Sequence, residues 1–469
     1  MNLILLGILL YVVLQLVVGV LVSRRIQSEA DYLVAGRKIG LGLAMFSMFA
    51  TWFGAETCVG AAGKFYAEGF AGGVSDPFGY TLVLFLVGWF IARPLWSRGL
   101  TTLADLFRQR FGQNTERFAS LIMIPTSVLW AAAQIRAFGI VLHAAGGIDL
   151  TTGMLIATAV VIIYTCSGGL LADVMTDLIQ GIAIIIGLGL LLLSLGLNPG
   201  INLAAAWQTV EPSRLNLFGG EGSVWQKADL WLNIVIGSLV AQELAARVLG
   251  ARSPDVAAKS ATYGGMLYLA VGLIPALLGL LGPALLPGLA EPETFLPVLA
   301  QQHLSPFLFM LFAGALVSAI LSTVDSALLA ASSLASHNFI VSFRPGLPDR
   351  QRLLLARGGV VLFGLVSALF ALSADSIFEL VQHANGIGSA GIFALLVFGL
   401  YAGNFGGPRA GLATLTVGLA TWVHGTFFTD WSAPYLYSLA AALGTFAVVA
   451  RFERAGANEE VAAGAGVTK

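Results

Sequence analysis

Charged side chains are scarce along this chain, at 10% of its residues against 57% hydrophobic ones. An average soluble domain carries roughly 25% charged residues, so a water-soluble fold is excluded. Cysteine is nearly missing as well. Cys58 and Cys166 both sit in apolar context, and their spacing suits neither a disulfide framework nor a metal-ligand set. The five histidines, His143, His303, His337, His383 and His424, are scattered without metal spacing. No span pairs a nucleophile with a base, which argues against a membrane-embedded enzyme. Neither a covalent step nor a bound cofactor is expected.

What the chain has instead is apolar length. Runs of roughly 18–30 apolar residues recur from end to end, room for about thirteen spanning helices and no separate soluble domain. They centre near Val12, Phe53, Phe85, Trp130, Val160, Ile185, Ile236, Ile274, Ser318, Phe363, Ser389, Thr416 and Leu443. With the N-terminus outside, the inside loops fall around residues 23 to 41, 93 to 117, 168 to 174, 247 to 259, 337 to 357 and 403 to 410. With the C-terminal tail they collect 20 of the 24 Lys and Arg, Arg247, Arg252 and Lys259 among them. This asymmetry follows the positive-inside rule and predicts a multi-pass protein of the plasma (inner) membrane with a cytoplasmic C-terminus. Met1 to Leu21 lacks a basic n-region and a small-residue cleavage site, and so reads as a retained span. Residues 455–469 read as a disordered tail.

Two spans are interrupted. Trp52-Phe53-Gly54-Ala55-Glu56 places a glycine and an acid near mid-membrane, followed by Gly60 and Gly63. In the other, Gly237-Ser238 lies near mid-span with Gln242 and Glu243 just beyond. The two open successive five-helix blocks, 42–197 and 228–402, with a leading helix and loop in 1–41 and two trailing helices in 403–454. All of 1–454 reads as one transmembrane domain. Interrupted helices in matching positions point to an inverted repeat with a site at its interface. The unwound turns free backbone carbonyls, which are hard ligands for a small cation. Close helix packing accounts for many of the 56 glycines.

The most costly polar run is Ala319 to Ser326, Ala-Ile-Leu-Ser-Thr-Val-Asp-Ser. On a helix, Ala319, Ser322 and Thr323 share one face. Uncharged hydroxyl and carbonyl oxygens suit a monovalent cation better than a divalent one. Alternatively, the hydroxyls bond back to carbonyls three or four residues earlier. Asp177, a carboxylate in or near an apolar span, needs a cation or donor; together with Asp173 it could instead cap a helix beginning near Ala172. Asp325 points off the Ser322 face.

Four ordered motifs carry a resemblance. Asp31-Tyr32-Leu33-Val34-Ala35-Gly36-Arg37, Gly168-Gly169-Leu170 with Thr176-Asp177-Leu178-Ile179-Gln180, Arg247-Val248 with Ala251-Arg252-Ser253, and Leu321 to Ser326 resemble the sodium/solute symporter family along nearly the whole chain. The resemblance implies an all-α integral membrane protein with the five-plus-five inverted repeat of the leucine transporter. It also implies sodium-coupled import of a small organic solute by alternating access. Its sodium site falls on the carbonyls of Ala50 and Phe53 and on Ala319, Ser322 and Thr323, with Asp177 near the sodium path.

Within the family, Ala35 to Gly40, Phe49-Ala50-Thr51-Trp52, Gly79-Tyr80, Ala92-Arg93-Pro94 through Asp105, and Trp130 to Ala133 resemble the high-affinity choline-transporting branch. The aromatic cage of that branch maps onto Trp52, Tyr80 and Trp130, whose ring faces would attract a cation. Interfacial belt or packing roles are the alternative for these aromatics. Three departures stand out. Ala241 occupies the fourth cage position, beside Gln242 and Glu243, and charged Glu56 and Arg136 stand where that branch is uncharged. A guanidinium near the pocket would repel choline and could hold a carboxylate; Arg136 either pairs with Glu56 or lies above the pocket. The substrate-binding set is therefore Trp52, Tyr80, Trp130, Glu56, Ala241 and Gln242. The expected solute is choline- or betaine-like, with a carboxylate, amino acid or sugar-like solute as the alternative. A membrane sensor built on a transporter core is the other class, against which the short tail speaks.

Overall fold

The computed structural model describes residues 28–54, 56–344, 346–403, 405–429 and 431–465, with positions 13 and 17; side chains at 145, 164, 167, 378, 379 and beyond 454 are not described. The expected first span near Val12 lies almost wholly outside the described residues. So do residues 466–469 of the expected tail, whereas the backbone of the last helix, Pro434–Ala465, continues past Arg454.

All regular elements among the described residues are helical, with one isolated bridge between Ile39 and Ala251. In chain order the elements used below are α1 (Leu41–Ala50), α2 (Ala62–Glu68), α3 (Tyr80–Leu86), α4 (Gln113–Gly146), α5 (Leu150–Leu197), α6 (Val224–Leu239), α7 (Gln242–Gly250), α8 (Pro254–Leu285), α9 (Pro306–Ser333), α10 (Asp349–Ser373), α11 (Ile377–Gly386) and α12 (Ser389–Tyr401). Among the described residues, seven helical stretches are long and apolar enough to cross a membrane, or up to nine if each bent pair counts as one span. The sequence predicts about thirteen. Part of the difference arises because successive helices adjoin without the loops the sequence leads one to expect: Glu56–Trp96 is interrupted only by non-helical backbone at Gly69 and Asp76, and α5 is two helices that meet at a kink at Gly169. Gly169 turns the chain with φ 54° and ψ −175°, a backbone that favours glycine. A Cβ there would also lie 2.5 Å from the Tyr32 ring.

Local signals start the long helices where the sequence suggests. Ser253 and Ser305 cap α8 and α9, accepting from the N–H groups of Val256 and Leu308, and each is followed by a proline at the first helical position. Burial then sorts the helices. In α9 and its extension to Phe343, 78% of the most apolar window is buried, against 28% for α10, so α9 is central and α10 faces outward. α9 packs between α4 and α5, while α1 lies on α5 and α8.

The broken helices are real, although one break falls elsewhere than expected. α1 ends at Ala50, and a non-helical turn over 51–54 leads into a wide helical turn, Glu56–Ala61. The second break lies not at Gly237-Ser238, which remain helical, but at Val240-Ala241, where α6 and α7 bend by 41°. Gly237 serves packing instead, since a Cβ there would lie 2.4 Å from the Asn385 carbonyl oxygen. A third break without a clear sequence signal bends α11 against α12 by 44° at Gly388, φ 63°.

One rim of the bundle is tied by a polar network. Asn338 donates to Asp105 at 3.0 Å and Glu116 at 2.8 Å, and accepts from the Thr102 hydroxyl at 2.8 Å. Burial alone would raise the Asp105 carboxyl, but hydrogen bonds and charge from His337 and the amides of Thr101 and Thr102 outweigh it and hold it below the usual carboxylate range.

Close helix contact makes a direct prediction. A Cβ at Gly279 of α8 would lie 2.4 Å from the Ala62 carbonyl oxygen. Gly279→Leu should therefore overpack the α2–α8 contact and cost about 1–3 kcal/mol, read as a lower thermal midpoint of the purified protein in detergent. An unchanged midpoint would mean that these helices do not meet this closely.

Candidate functional site

Arg247 lies on α7, 1% exposed, in the interior and not in the loop where the sequence counts it; Arg252 and Lys259 remain exposed. Its guanidinium donates to Asp173 at 2.8 Å, Asp177 at 3.3 Å and the Ser326 hydroxyl at 2.5 Å. It also donates to the carbonyls of Ser47 at 3.2 Å and Glu243 at 3.1 Å. One cation thus joins α1, α5, α7 and α9. Asp173 is engaged by Arg247 and Ser326, which replaces the capping role the sequence allows for it. A cavity of about 20 Å³, lined by Asp173, Glu243, Arg247 and Ser326, adjoins the group. It has room for about one water.

Asp177 faces away from Arg247 as well. Ser47 donates to its carboxylate at 2.5 Å, and the Ser322 hydroxyl donates to its other oxygen. Ser322 and Thr323 both bring a hydroxyl to 3.4 Å from the Ala50 carbonyl, and Thr323 lies 3.2 Å from the Ala319 carbonyl. Gly54 N–H, the helical partner of Ala50 O, turns instead to Trp52 O at 2.8 Å. The interrupted helix therefore presents a carbonyl to the α9 hydroxyls, and both the face predicted on α9 and its partner on α1 are brought together. Phe53 sits on the same turn, its ring packed on Phe49 at 4.6 Å and Tyr268 at 5.2 Å.

The aromatic candidates also converge. Trp52 and Tyr80 lie 5.0 Å apart between centroids, and Trp130 meets Tyr80 edge-on at 5.9 Å. All three are buried. Glu56 enters this cluster, accepting from the Tyr80 hydroxyl at 2.6 Å. Beside it lie two residues without a sequence signal: Asp76 accepts from Tyr268 at 2.7 Å and from Thr57 at 2.9 Å. The wide turn after α1 and a second wide, kinked helical turn, Val74–Gly79, before α3 deliver these two acids to one place.

Arg136 does not pair with Glu56; it donates to the backbone carbonyls of Ala374 at 2.7 Å and Asp375 at 2.6 Å, beside an open cavity lined by Gly60, Lys64 and Glu293. Gln242 has a bracing role, because its amide oxygen accepts from Leu103 N–H at 2.8 Å. Ala241 lies at the α6–α7 break and lines a small cavity with Thr126, Ser127 and Gly237. Asp325 is buried too, beside the Thr165 hydroxyl.

Comparison with known proteins gives the geometry a context. A profile of the sodium:solute symporter family matches residues 32–413. High-affinity choline transporter 1 of Torpedo marmorata is 30% identical over 395 residues, 80% of this chain and 67% of that protein. Sodium-coupled monocarboxylate transporter 2 of Bos taurus is 26% identical over 426 residues, 86% of this chain and 68% of that protein. Among solved structures, a Na+-coupled sialic acid symporter in its substrate-bound outward-open state superposes with a TM-score of 0.82 at 18% identity, covering 96% of this chain and 97% of the other. The two share their fold.

Removing the central cation should be severe. Arg247→Met leaves Asp173 and Asp177 buried without their partner, a loss of about 3–5 kcal/mol. Adding Asp173→Asn should recover part of it. Thermal unfolding of the single and double variants checks this; a single variant as stable as the parent would remove the pairing.

Proposed function

The chain belongs to the sodium:solute symporter family, and on that premise we propose that its coupling sodium is held by Ala50, Phe53, Ala319, Ser322 and Thr323. The protein is a Na+-coupled importer of a small solute. The observation that carries the site is the approach of two hydroxyls to one carbonyl. Ser322 donates its proton to Asp177, and Thr323 points toward Ala319 O, yet both oxygens stand 3.4 Å from Ala50 O. That is long for an O–H···O bond, about 2.7–2.8 Å. Oxygens held at right angles around a cation at about 2.3–2.6 Å are about 3.3–3.7 Å apart. The spacing therefore suits a cation shell better than a hydrogen bond. Asp177 then contributes charge from behind Ser322.

The proposed architecture is thirteen spans with the N-terminus outside, the central ten forming a five-plus-five inverted repeat. Two observations support it. The matched helices at 51–54 and 240–241 are both broken, and α5, 48 residues with a non-helical kink at Gly169, has residues enough for two bilayer crossings. Sodium bridging α1 and α9 would favour one conformation, solute would favour closure over it, and coupling follows from their unequal affinities for the two states.

The solute site is proposed at Trp52, Tyr80, Trp130 and Glu56, and an organic cation is the solute class these residues favour. Arg136, the group that would have held a carboxylate, is engaged with Ala374 and Asp375, while Glu56 is inside the cluster. A carboxylate, as the name of the bovine relative suggests, remains the second reading.

Ser322→Ala and Thr323→Ala should each raise the sodium concentration needed for half-maximal thermal stabilisation about tenfold, near 1.4 kcal/mol, with expression intact. Unchanged sodium titrations in both variants would remove the proposed site.

A further inference from the structure

The aromatic cluster contains buried polar atoms whose unmet bonds form a complementary set. Glu56 is 1% exposed; one of its oxygens accepts from Tyr80, while the other, Oε1, has no partner among the described residues. Asp76 differs, because both its oxygens are taken by the hydroxyls of Thr57 and Tyr268. Among the described residues, neither acid forms an ion pair with Lys, Arg or His. Two buried donors lie on the walls of the same cluster without partners. They are the Trp130 indole N–H, on a ring packed edge-on against Tyr80, and the Asn385 amide nitrogen, whose side-chain oxygen is 3.3 Å from the Ser238 hydroxyl. Trp130 and Asn385 are each 3% exposed. Asn385 also neighbours the Tyr80 hydroxyl.

A buried acceptor and two buried donors left open on residues that all adjoin Tyr80, with the Ser75 hydroxyl beside Glu56, are costly unless a ligand satisfies them. The acceptor is a carboxylate, so its ligand partner is a donor with positive charge. The open indole and amide call for an oxygen acceptor on the same molecule. A quaternary ammonium ion satisfies the charge and the aromatic faces, but it has no hydrogen to give Glu56.

We propose that the solute is a protonated amine that retains at least one N–H, which it donates to Glu56, and that also carries a hydroxyl or carbonyl oxygen for Trp130 and Asn385. This rests on the reading that the solute binds against these aromatic side chains. Asp76 is a positioning residue, which holds Tyr268 and Thr57 and so fixes the wall behind Glu56.

Stepwise methylation of one amino alcohol tests it. The probes are ethanolamine, N-methylethanolamine, N,N-dimethylethanolamine and choline, measured by thermal shift on the purified full-length protein with sodium and with potassium in its place. All four carry one positive charge at neutral pH, and only choline lacks an N–H. The expected result is sodium-dependent binding of the first three and a drop of at least ~10-fold at the last methylation. In Glu56→Gln the drop should vanish while stabilisation by sodium alone persists, which also shows that the variant is folded. Choline bound as tightly as N,N-dimethylethanolamine, a drop that survives in Glu56→Gln, or no binding of any of the four overturns the amine assignment. If a neutral or anionic solute binds in a sodium-dependent way instead, the assignment falls and the symporter reading stands. Absence of any sodium effect on stability or binding counts against the sodium site itself.

Discussion

A guanidinium withdrawn from water costs several kcal/mol and is tolerated only when its donors are met with good geometry. Arg247 meets that demand by drawing four helices to itself: two aspartates on α5, a serine on α9, and carbonyls on α1 and on its own helix. Two carboxylates face one guanidinium, and one of them, Asp177, is also held by the hydroxyls of Ser47 and Ser322. Asp177 thereby links the arginine to the α9 hydroxyl that approaches Ala50. The proposed sodium site borders the network that the arginine holds together.

The interrupted segment after α1 joins this arrangement to the aromatic cluster. Ala50 offers its carbonyl to the α9 hydroxyls, Trp52 packs at a tilt on Tyr80, and Glu56 and Thr57 reach the two tyrosines. All of these positions lie within eight consecutive residues, 50 to 57. A change in the path of that turn moves both sets of ligands at once. That is a short mechanical route for the coupling a symporter needs, since each ligand biases the backbone the other requires.

The α9 face was legible because helical periodicity alone puts Ala319, Ser322 and Thr323 together, and the break after Ala50 because glycine and an acid interrupt an apolar run. The ordered motifs located Asp177, Trp52, Tyr80 and Trp130. Arg247 was not legible as an interior residue: a basic residue near the end of an apolar segment has the same local pattern whether it faces a loop or a buried acid. Asp76 and Tyr268 are 192 positions apart, so only tertiary folding reveals their pairing. Arg136 was left between two alternatives for a related reason. Its distance along the helix axis was calculable, but its direction was decided by two carbonyls at 374 and 375. Span boundaries blurred where Gly169 let one helix run into the next without a loop.

The contact between Gly54 and Thr323 sets a dimension. A Cβ at Gly54 would stand 2.5 Å from Thr323 Oγ1 and 2.8 Å from Gln134 Oε1. The turn of the broken helix thus rests against the α9 hydroxyl with no side chain between them to compress or swing aside. The separation of Ala50 O from the α9 oxygens is limited by backbone-to-hydroxyl contact, with little slack. At the proposed sodium site this makes ionic radius a discriminating quantity, because a larger ion needs its oxygens further apart than a smaller one, and this contact resists their separation and approach alike.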